Sequence, residues 1–127
     1  TFLYKKYTMA THNDFGAKAE KFAKSYLLEN NYEILETNYR FGKAEIDIIA
    51  KKDDLLIIVE VKARQYNSLK QPFEAVNKKK IELIHSATDH FINKKGYNLE
   101  VRFDIISIYN YNETYSIQHI KDAFEVL

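Results

Sequence analysis

Two neighbouring segments rich in isoleucine and valine constrain the fold of this chain more than any other feature. Residues 44–51 and 55–62 alternate in side-chain type, and only Lys52, Asp53 and Asp54 lie between them. Alternation with period two is typical of β-strands, and aspartate is an acceptable turn residue. The two segments are therefore predicted to form an antiparallel β-hairpin.

The register of this hairpin follows from a symmetrical turn at the two aspartates. Such a turn would place Asp47 directly opposite Glu60. It would place Glu45 opposite Lys62, with all four side chains on one face. The other face is predicted to be wholly apolar, lined by Ile46, Ile48, Ala50, Leu55, Ile57, Val59 and Val61.

Facing carboxylates in such a hairpin need an explanation, because opposed like charges are unfavourable. One carboxyl group could be protonated through a raised pKa, or a cation could bind both. Mg²⁺ prefers oxygen ligands and commonly takes one or two carboxylates, waters and a substrate phosphate. Asp47, Glu60 and the backbone carbonyl of Val61 are the candidate ligands for Mg²⁺ or Mn²⁺. The competing interpretation is a solvated strand face with weak ion pairs.

Lys62 adds a cation two residues after Glu60 on the same predicted face. Its ammonium group could reach an attacking water or a phosphate oxygen and offset charge that builds up in the transition state. This pattern favours hydrolysis of a phosphodiester. Glu45 is either a further metal ligand or, as we prefer, the ion-pair partner of Lys62. Asp104 is interpreted as a partner of Arg102 in a structural salt bridge, although it could brace a site residue.

The flanking segments predict helices and further strands around the hairpin. Apolar residues recur at helical spacing in residues 14–30 and again in residues 72–94, where Pro72 suits a helix start and Gly96 a helix end. Strands are predicted at 32–41, 99–109 and 115–120. The order predicts a mixed α/β fold in which the second helix crosses between strands and covers one face of a central sheet.

Composition places the chain among ordinary globular proteins. Its 127 residues are 46% hydrophobic and 29% charged, which suits one domain. Cysteine is absent, so disulfides are excluded and a cytoplasmic location is the simpler expectation. Membrane-spanning runs of about 18 apolar residues are also absent. Met9 is a candidate native start, which would make residues 1–8 an extension to a single domain at 9–127.

Positive charge is concentrated directly after the hairpin, although the net charge is only +1. Arg64, Lys78, Lys79 and Lys80 are candidate contacts to nucleic-acid phosphates, which would position the substrate without reading its sequence. Taken singly, each of these side chains is more commonly explained by a solvated helix or loop face.

The chain resembles the YraN-like family of small bacterial proteins, within the restriction-endonuclease-like superfamily that includes the Holliday junction resolvases. The matching residues are Gly16, Glu20, Tyr26-Leu27, Asn38-Tyr39-Arg40, Glu45 to Ala50, Val59 to Lys62, Arg64, Val76, Lys80, Ala87 and Arg102-Phe103-Asp104. Ala44 stands where that family often has glycine.

This resemblance implies a restriction-endonuclease-like fold and a catalytic group of Asp47, Glu60 and Lys62, to which Glu20 of the first helix is added. By pattern alone, Glu20 is better explained as a helix-surface carboxylate that pairs with Lys24. It implies a metal-dependent endonuclease acting on structured or branched DNA. Nucleases of the superfamily often pair two active sites, so a homodimer is compatible with the resemblance. The alternatives are a non-cleaving nucleic-acid-binding module that serves a helicase or translocase, and an assembly protein that uses its tyrosine-rich C-terminal strand.

Overall fold

Two helices and one six-stranded sheet make up the described part of the protein. The computed structural model describes residues 2–6, 15–65, 77–112 and 114–125. The elements in chain order are β1 (Phe2–Lys6), α1 (Phe15–Glu29), β2 (Glu33–Phe41), β3 (Ala44–Lys52), β4 (Leu55–Gln65), α2 (Lys78–Lys95), β5 (Glu100–Tyr111) and β6 (Thr114–Ile120). The predicted mixed α/β architecture, with its antiparallel hairpin flanked by helices, is confirmed.

The sheet has the strand order β1-β6-β5-β4-β3-β2. Its central pair, β4 and β5, is parallel, and the other neighbouring strands are antiparallel. A parallel pair needs a long crossover, and α2 lies in that connection, as predicted. The sheet is covered on both faces, because α1 packs on one apolar cluster and α2 on the other.

The predicted turn and register of the hairpin are confirmed over most of its length. Lys52 pairs with Leu55 and Ile48 with Val59, so the turn has two residues. Asp53 has a φ of 54°, a left-handed conformation that aspartate tolerates better than most residues.

The alternation of β3 reverses at Asp47, and the prediction of one continuous apolar face is wrong there. Ile48 and Ala50 pack in the cluster beneath α1, whereas Ile46 packs in the cluster beneath α2. Asn38 on the neighbouring strand β2 has a φ of 52°, between the paired residues that flank Asp47. The side chains of β2 and β3 therefore switch from one face of the sheet to the other at the same position along the paired strands. The residue pattern of a single strand cannot show this switch.

The boundaries of the helices agree with the predictions except at the start of α2. Asn31, with a φ of 68°, ends α1, and Gly96, with a φ of 72°, caps α2 as predicted. The predicted start at Pro72 is wrong, because Asn77 is extended and its side chain accepts the N–H of Lys80 as an N-cap. Residues 72–76 themselves lie outside the described residues.

The edge strand β1 lies within residues 1–8, which were predicted to be an extension to the domain and not a strand. Residues 2–6 pair with β6 along their whole length. Across residues 2–6, 15–65, 77–112 and 114–125, neither helix combines the length and the apolar character needed to cross a bilayer.

Candidate active site

The candidate site lies where β3 separates from β4. The ladder ends at Ile48 and Val59, and Asp47 and Glu60 flank that end instead of forming its next pair. The carboxylate of Asp47 takes the place of a backbone acceptor, because its Oδ2 accepts the N–H of Val61 at 2.8 Å. Both acidic side chains line a cleft beside this end of the ladder.

Glu60 is the most buried member of the site, with 1% of its side chain exposed. Its Oε2 lies 2.8 Å from the Nζ of Lys80 and 3.9 Å from the Nζ of Lys62. Its other oxygen, Oε1, is buried and has no hydrogen-bond partner among the described residues. A buried carboxylate oxygen without a donor is uncommon, and it marks a place where a further cation or donor would be stabilised.

Both acidic groups are easier to protonate than free carboxyl groups. Burial raises the pKa of Glu60, and the negative charge of Asp47 raises it further. Burial also raises the pKa of Asp47, and this effect outweighs the hydrogen bond from Val61 and the positive charges of Lys80 and Lys62. The prediction that Asp47 lies directly opposite Glu60 in the ladder is wrong, but the two carboxylates lie close enough for the charge of Asp47 to raise the pKa of Glu60.

The pKa values of the two lysines of the site, Lys62 and Lys80, shift in opposite directions. Burial lowers the pKa of Lys62 to about 8, and the neighbouring ammonium group of Lys80 adds to that shift. Burial alone would lower the pKa of Lys80, but its hydrogen bond to Glu60 and the negative charges of Glu60 and Asp47 together outweigh burial and hold the pKa above its usual value. Lys80 therefore stays in its charged form, whereas Lys62 loses a proton more easily.

Glu20 of α1 lies beside Asp47, as the family resemblance implied. Burial raises the pKa of Glu20, and the charges of Asp47 and Glu45 raise it further. The predicted ion pair between Glu45 and Lys62 is wrong. Glu45 instead binds Arg40 at 2.7 Å, because the reversal at Asp47 leaves it in register with Arg40 on β2.

Two cavities meet at Asp47, one on each face of the sheet. The cavity on the α2 side has a volume of 390 Å³ and includes Glu60, Lys80, Lys43 and Lys79 in its lining. The cavity on the α1 side has a volume of 250 Å³, and its lining includes Glu20, Lys21, Lys24, Thr37 and Asn38. Lysines line both openings to the acidic cluster.

The predicted phosphate contacts are distributed unevenly. Lys80 belongs to the acidic cluster itself, and Lys78 is exposed on the first turn of α2. Arg64 is half-buried, and its Nε has no hydrogen-bond partner within the described ranges. Lys79 lines the larger cavity together with Lys43, which was not predicted. Lys43 lies beside Gly42 in the turn before β3, and this position next to the hairpin is the sequence feature that could have identified it.

The donor set of the site suits Mg²⁺ or Mn²⁺. Asp47 and Glu60 offer carboxylate oxygens, and Oε1 of Glu60 lacks a partner within the described part of the chain. No group of three or more Asp, Glu, His or Cys residues in that part has an arrangement that could hold a metal ion. A metal would therefore have two carboxylate ligands from the protein, and water, phosphate or a backbone carbonyl would complete its shell.

A second buried carboxylate, Asp104, lies in a different environment. Its two oxygens accept from Nε and Nη2 of Arg102 at 2.9 Å each, and the N–H of Asp122 donates at 3.0 Å. Nε2 of His119 lies 2.7 Å from Oδ2, and Nδ1 of the same ring lies 2.9 Å from the hydroxyl of Tyr26. The predicted salt bridge to Arg102 is confirmed, and His119 and Tyr26 are additions that sequence spacing does not reveal.

Comparison with known proteins identifies the family. The sequence model of the uncharacterised protein family UPF0102 matches residues 19–108, which include Glu20, Asp47, Glu60, Lys62 and Lys80. The chain belongs to this family. The resemblance to the YraN-like family is thereby confirmed.

Relatives from several organisms agree with this assignment. A UPF0102 protein of Flavobacterium psychrophilum is 43% identical over 116 residues, covering 91% of this chain and 98% of the relative. One from Christiangramia forsetii is 45% identical with the same coverage, and one from Clostridium botulinum is 46% identical, covering 89% of this chain and 95% of the relative.

Among solved structures, the UPF0102 chain is weakly similar to Pyrococcus furiosus SfsA in complex with Ca²⁺. The similarity covers 91% of this chain and 66% of that one, with 13% identity and a TM-score of 0.33. Similarity at that level carries no argument about function.

Proposed function

We propose that this UPF0102 chain is a divalent-metal-dependent endonuclease that hydrolyses phosphodiester bonds in nucleic acid. The observation that carries the proposal is the cluster at the end of the β3–β4 ladder. Two carboxylates with raised pKa values line a cleft there together with Lys80, and Nζ of Lys62 lies 3.9 Å from Glu60. One buried carboxylate oxygen has no hydrogen-bond donor among the described residues. Perturbed ionisable groups in a cleft are typical of catalytic sites.

The carboxylates of Asp47 and Glu60, with the backbone carbonyl of Val61, would hold Mg²⁺ or Mn²⁺. A bound divalent ion would supply positive charge opposite the negative charge that develops on the phosphate. Glu20 faces Asp47 from α1 and would complete the acidic surroundings from the other face of the sheet.

Lys62 is the residue best placed to assist the attacking water. Its pKa of about 8 allows Nζ to exist partly as a neutral amine near neutral pH, so that it can accept a proton. The oxygen of that water forms a bond to phosphorus while the ester P–O bond breaks. One proton of the water passes to Nζ of Lys62, and the leaving oxygen takes a proton from solvent.

The basic side chains around the cleft would hold the nucleic-acid backbone. Lys43 and Lys79 line the cavity that contains Glu60. Arg64 comes shortly after Lys62 in the chain, and Lys78 directly precedes Lys79. Contacts of this kind bind phosphates without reading sequence. DNA with branches or junctions is the proposed substrate, on the strength of the resemblance to junction resolvases.

A second candidate is a nucleic-acid-binding module of the same fold that acts with a helicase or translocase and cleaves nothing itself. The contact between Lys80 and Glu60 favours it, because an ammonium group already neutralises the most buried carboxylate. Oε1 of Glu60, which has no hydrogen-bond partner among the described residues, favours the nuclease, since a binding module gains nothing from a destabilised carboxylate.

The two candidates are separated by cleavage assays on labelled flaps, forks, four-way junctions and single strands, with and without Mn²⁺. We expect metal-dependent cleavage of at least one branched substrate and a loss of about 100-fold or more in Lys62→Met. Lys51→Met is the matched control, because Lys51 is on β3 but its Nζ binds the carbonyl of Asp53 at the far turn.

Binding of the same substrates without cleavage, in wild type as in Lys62→Met, would favour the binding module. Cleavage that survives in Lys62→Met would contradict the assignment of this site.

A further inference from the structure

The acidic cluster contains its own cation, and that cation is supplied by α2. Nζ of Lys80 lies 2.8 Å from Oε2 of Glu60, a charge-assisted hydrogen bond to a carboxylate that is 1% exposed. The backbone N–H of Lys80 donates to Oδ1 of Asn77 at 2.9 Å. The N-cap of α2 therefore fixes the point from which this side chain reaches the site.

The two lysines differ in their freedom to leave the cluster. Lys62 is on the same strand as Glu60, with 18% of its side chain exposed and its Nζ 3.9 Å from Oε2. Lys80 is 38% exposed and lies on the wall of the 390 Å³ cavity. Lys80 can move into that cavity by rotation of its flexible side chain, whereas Lys62 is held at the centre of the site.

A divalent ion and the ammonium group of Lys80 would compete for the same carboxylate. An ion bound to Glu60 lies about 2.1 Å from its ligand oxygen, so the two cations would be only a few ångströms apart. Repulsion between like charges at that separation is strong in a half-buried site. The free energy of metal binding then includes the loss of the contact between Lys80 and Glu60.

We propose that Lys80 is the resident counter-cation of Glu60 and is displaced into the α2-side cavity when a divalent metal ion binds. The inference rests on the proposed function, because it requires that Asp47 and Glu60 form the metal site. It assigns Lys80 a positioning role: in the metal-free protein it neutralises Glu60, and its departure opens the site.

The test is the affinity for Mn²⁺ alone, measured by isothermal titration calorimetry on the full chain without nucleic acid. Lys80→Met keeps the length of the side chain and removes its charge. We expect it to bind Mn²⁺ about tenfold more tightly than wild type, because no ammonium group has to be displaced. Lys51→Met is the matched control, since Nζ of Lys51 binds the carbonyl of Asp53 at the far turn of the hairpin, and its affinity should stay within about twofold of wild type.

Thermal melting without metal gives a second readout. Lys80→Met should melt at a lower temperature than wild type, because Glu60 loses its closest partner, and Mn²⁺ should restore more stability to the variant than to wild type. If Lys80→Met does not fold, Lys80→Gln tests the same expectation, since an amide keeps a donor to Glu60 without charge.

The outcomes separate the two proposals. Mn²⁺ binding by wild type with equal or weaker binding by Lys80→Met would overturn the role of Lys80 and leave the metal site in place. Mn²⁺ binding by Lys80→Met but not by wild type would support the displacement strongly. Absence of Mn²⁺ binding in both proteins would overturn both proposals.

Discussion

Asp104 and Glu60 are buried carboxylates on the two parallel strands at the centre of one sheet, and their surroundings are opposite. Asp104 is completely buried and accepts hydrogen bonds from Arg102, His119 and the backbone of Asp122. Glu60 is almost as buried, yet one of its oxygens has no partner in the described part of the chain and Asp47 adds a like charge.

The pKa values of the two groups follow this difference. Burial alone would raise the pKa of Asp104, but hydrogen bonds from His119, Arg102 and the Asp122 backbone outweigh it and hold the pKa below its usual range. Burial and the charge of Asp47 raise the pKa of Glu60. Burial is common to both, so the set of partners distinguishes a structural carboxylate from a candidate catalytic one.

The largest effect on stability is expected at Asp104, whose two oxygens both have hydrogen-bond partners. Asp104→Asn removes the charge that binds Arg102 and the acceptor of His119, and leaves both donors in a buried network. We expect a loss of about 3 kcal/mol in the free energy of unfolding, measured by urea denaturation.

Asp122→Asn is the control, because the backbone and not the side chain of Asp122 contacts Asp104. That variant should stay within about 0.5 kcal/mol of wild type. A loss of similar size at both positions would show that the region is sensitive to any substitution, and the comparison would fail.

At the candidate site, we expect a substitution of a carboxylate to increase the free energy of unfolding instead of lowering it. Asp47→Asn keeps an oxygen for the N–H of Val61 and removes the charge that opposes Glu60. Because the raised pKa of Asp47 means that its ionised form is disfavoured in the folded protein, the variant should gain about 1 kcal/mol without metal, or about 3 °C in melting temperature.

Glu45→Gln serves as the neighbouring control, since the half-exposed pair with Arg40 contributes little. If Asp47→Asn instead lost as much stability as Asp104→Asn, Asp47 would be a structural carboxylate and the comparison would no longer support a catalytic site.

Several features of the hairpin and of α2 could be predicted from local patterns in the sequence. Alternation and the two aspartates gave the turn and the pairing from Lys52–Leu55 to Ile48–Val59 correctly. The spacing of Glu60 and Lys62 on one strand predicted their proximity, because side chains two apart share a face. The rule for helix ends identified Gly96.

The remaining features depend on partners distant in the chain. The change of face at Asp47 is matched by the left-handed Asn38 on another strand, so the side-chain pattern of β3 could not show that Ile46 faces α2. The contact of Lys80 with Glu60 requires the packing of α2 on the sheet. The start of α2 is a local feature, because asparagine is a preferred N-cap, and the prediction at Pro72 did not consider Asn77.

The most direct test of the central claim is the change in melting temperature of the metal-free protein on titration with Mg²⁺. We predict that wild type gains about 5 °C at saturation and that Glu45→Gln keeps this gain. Glu60→Gln should lose it, since Glu60 is the proposed ligand. A wild-type protein that does not respond to Mg²⁺, or a Glu60→Gln variant that responds as fully as wild type, would contradict a metal site between Asp47 and Glu60.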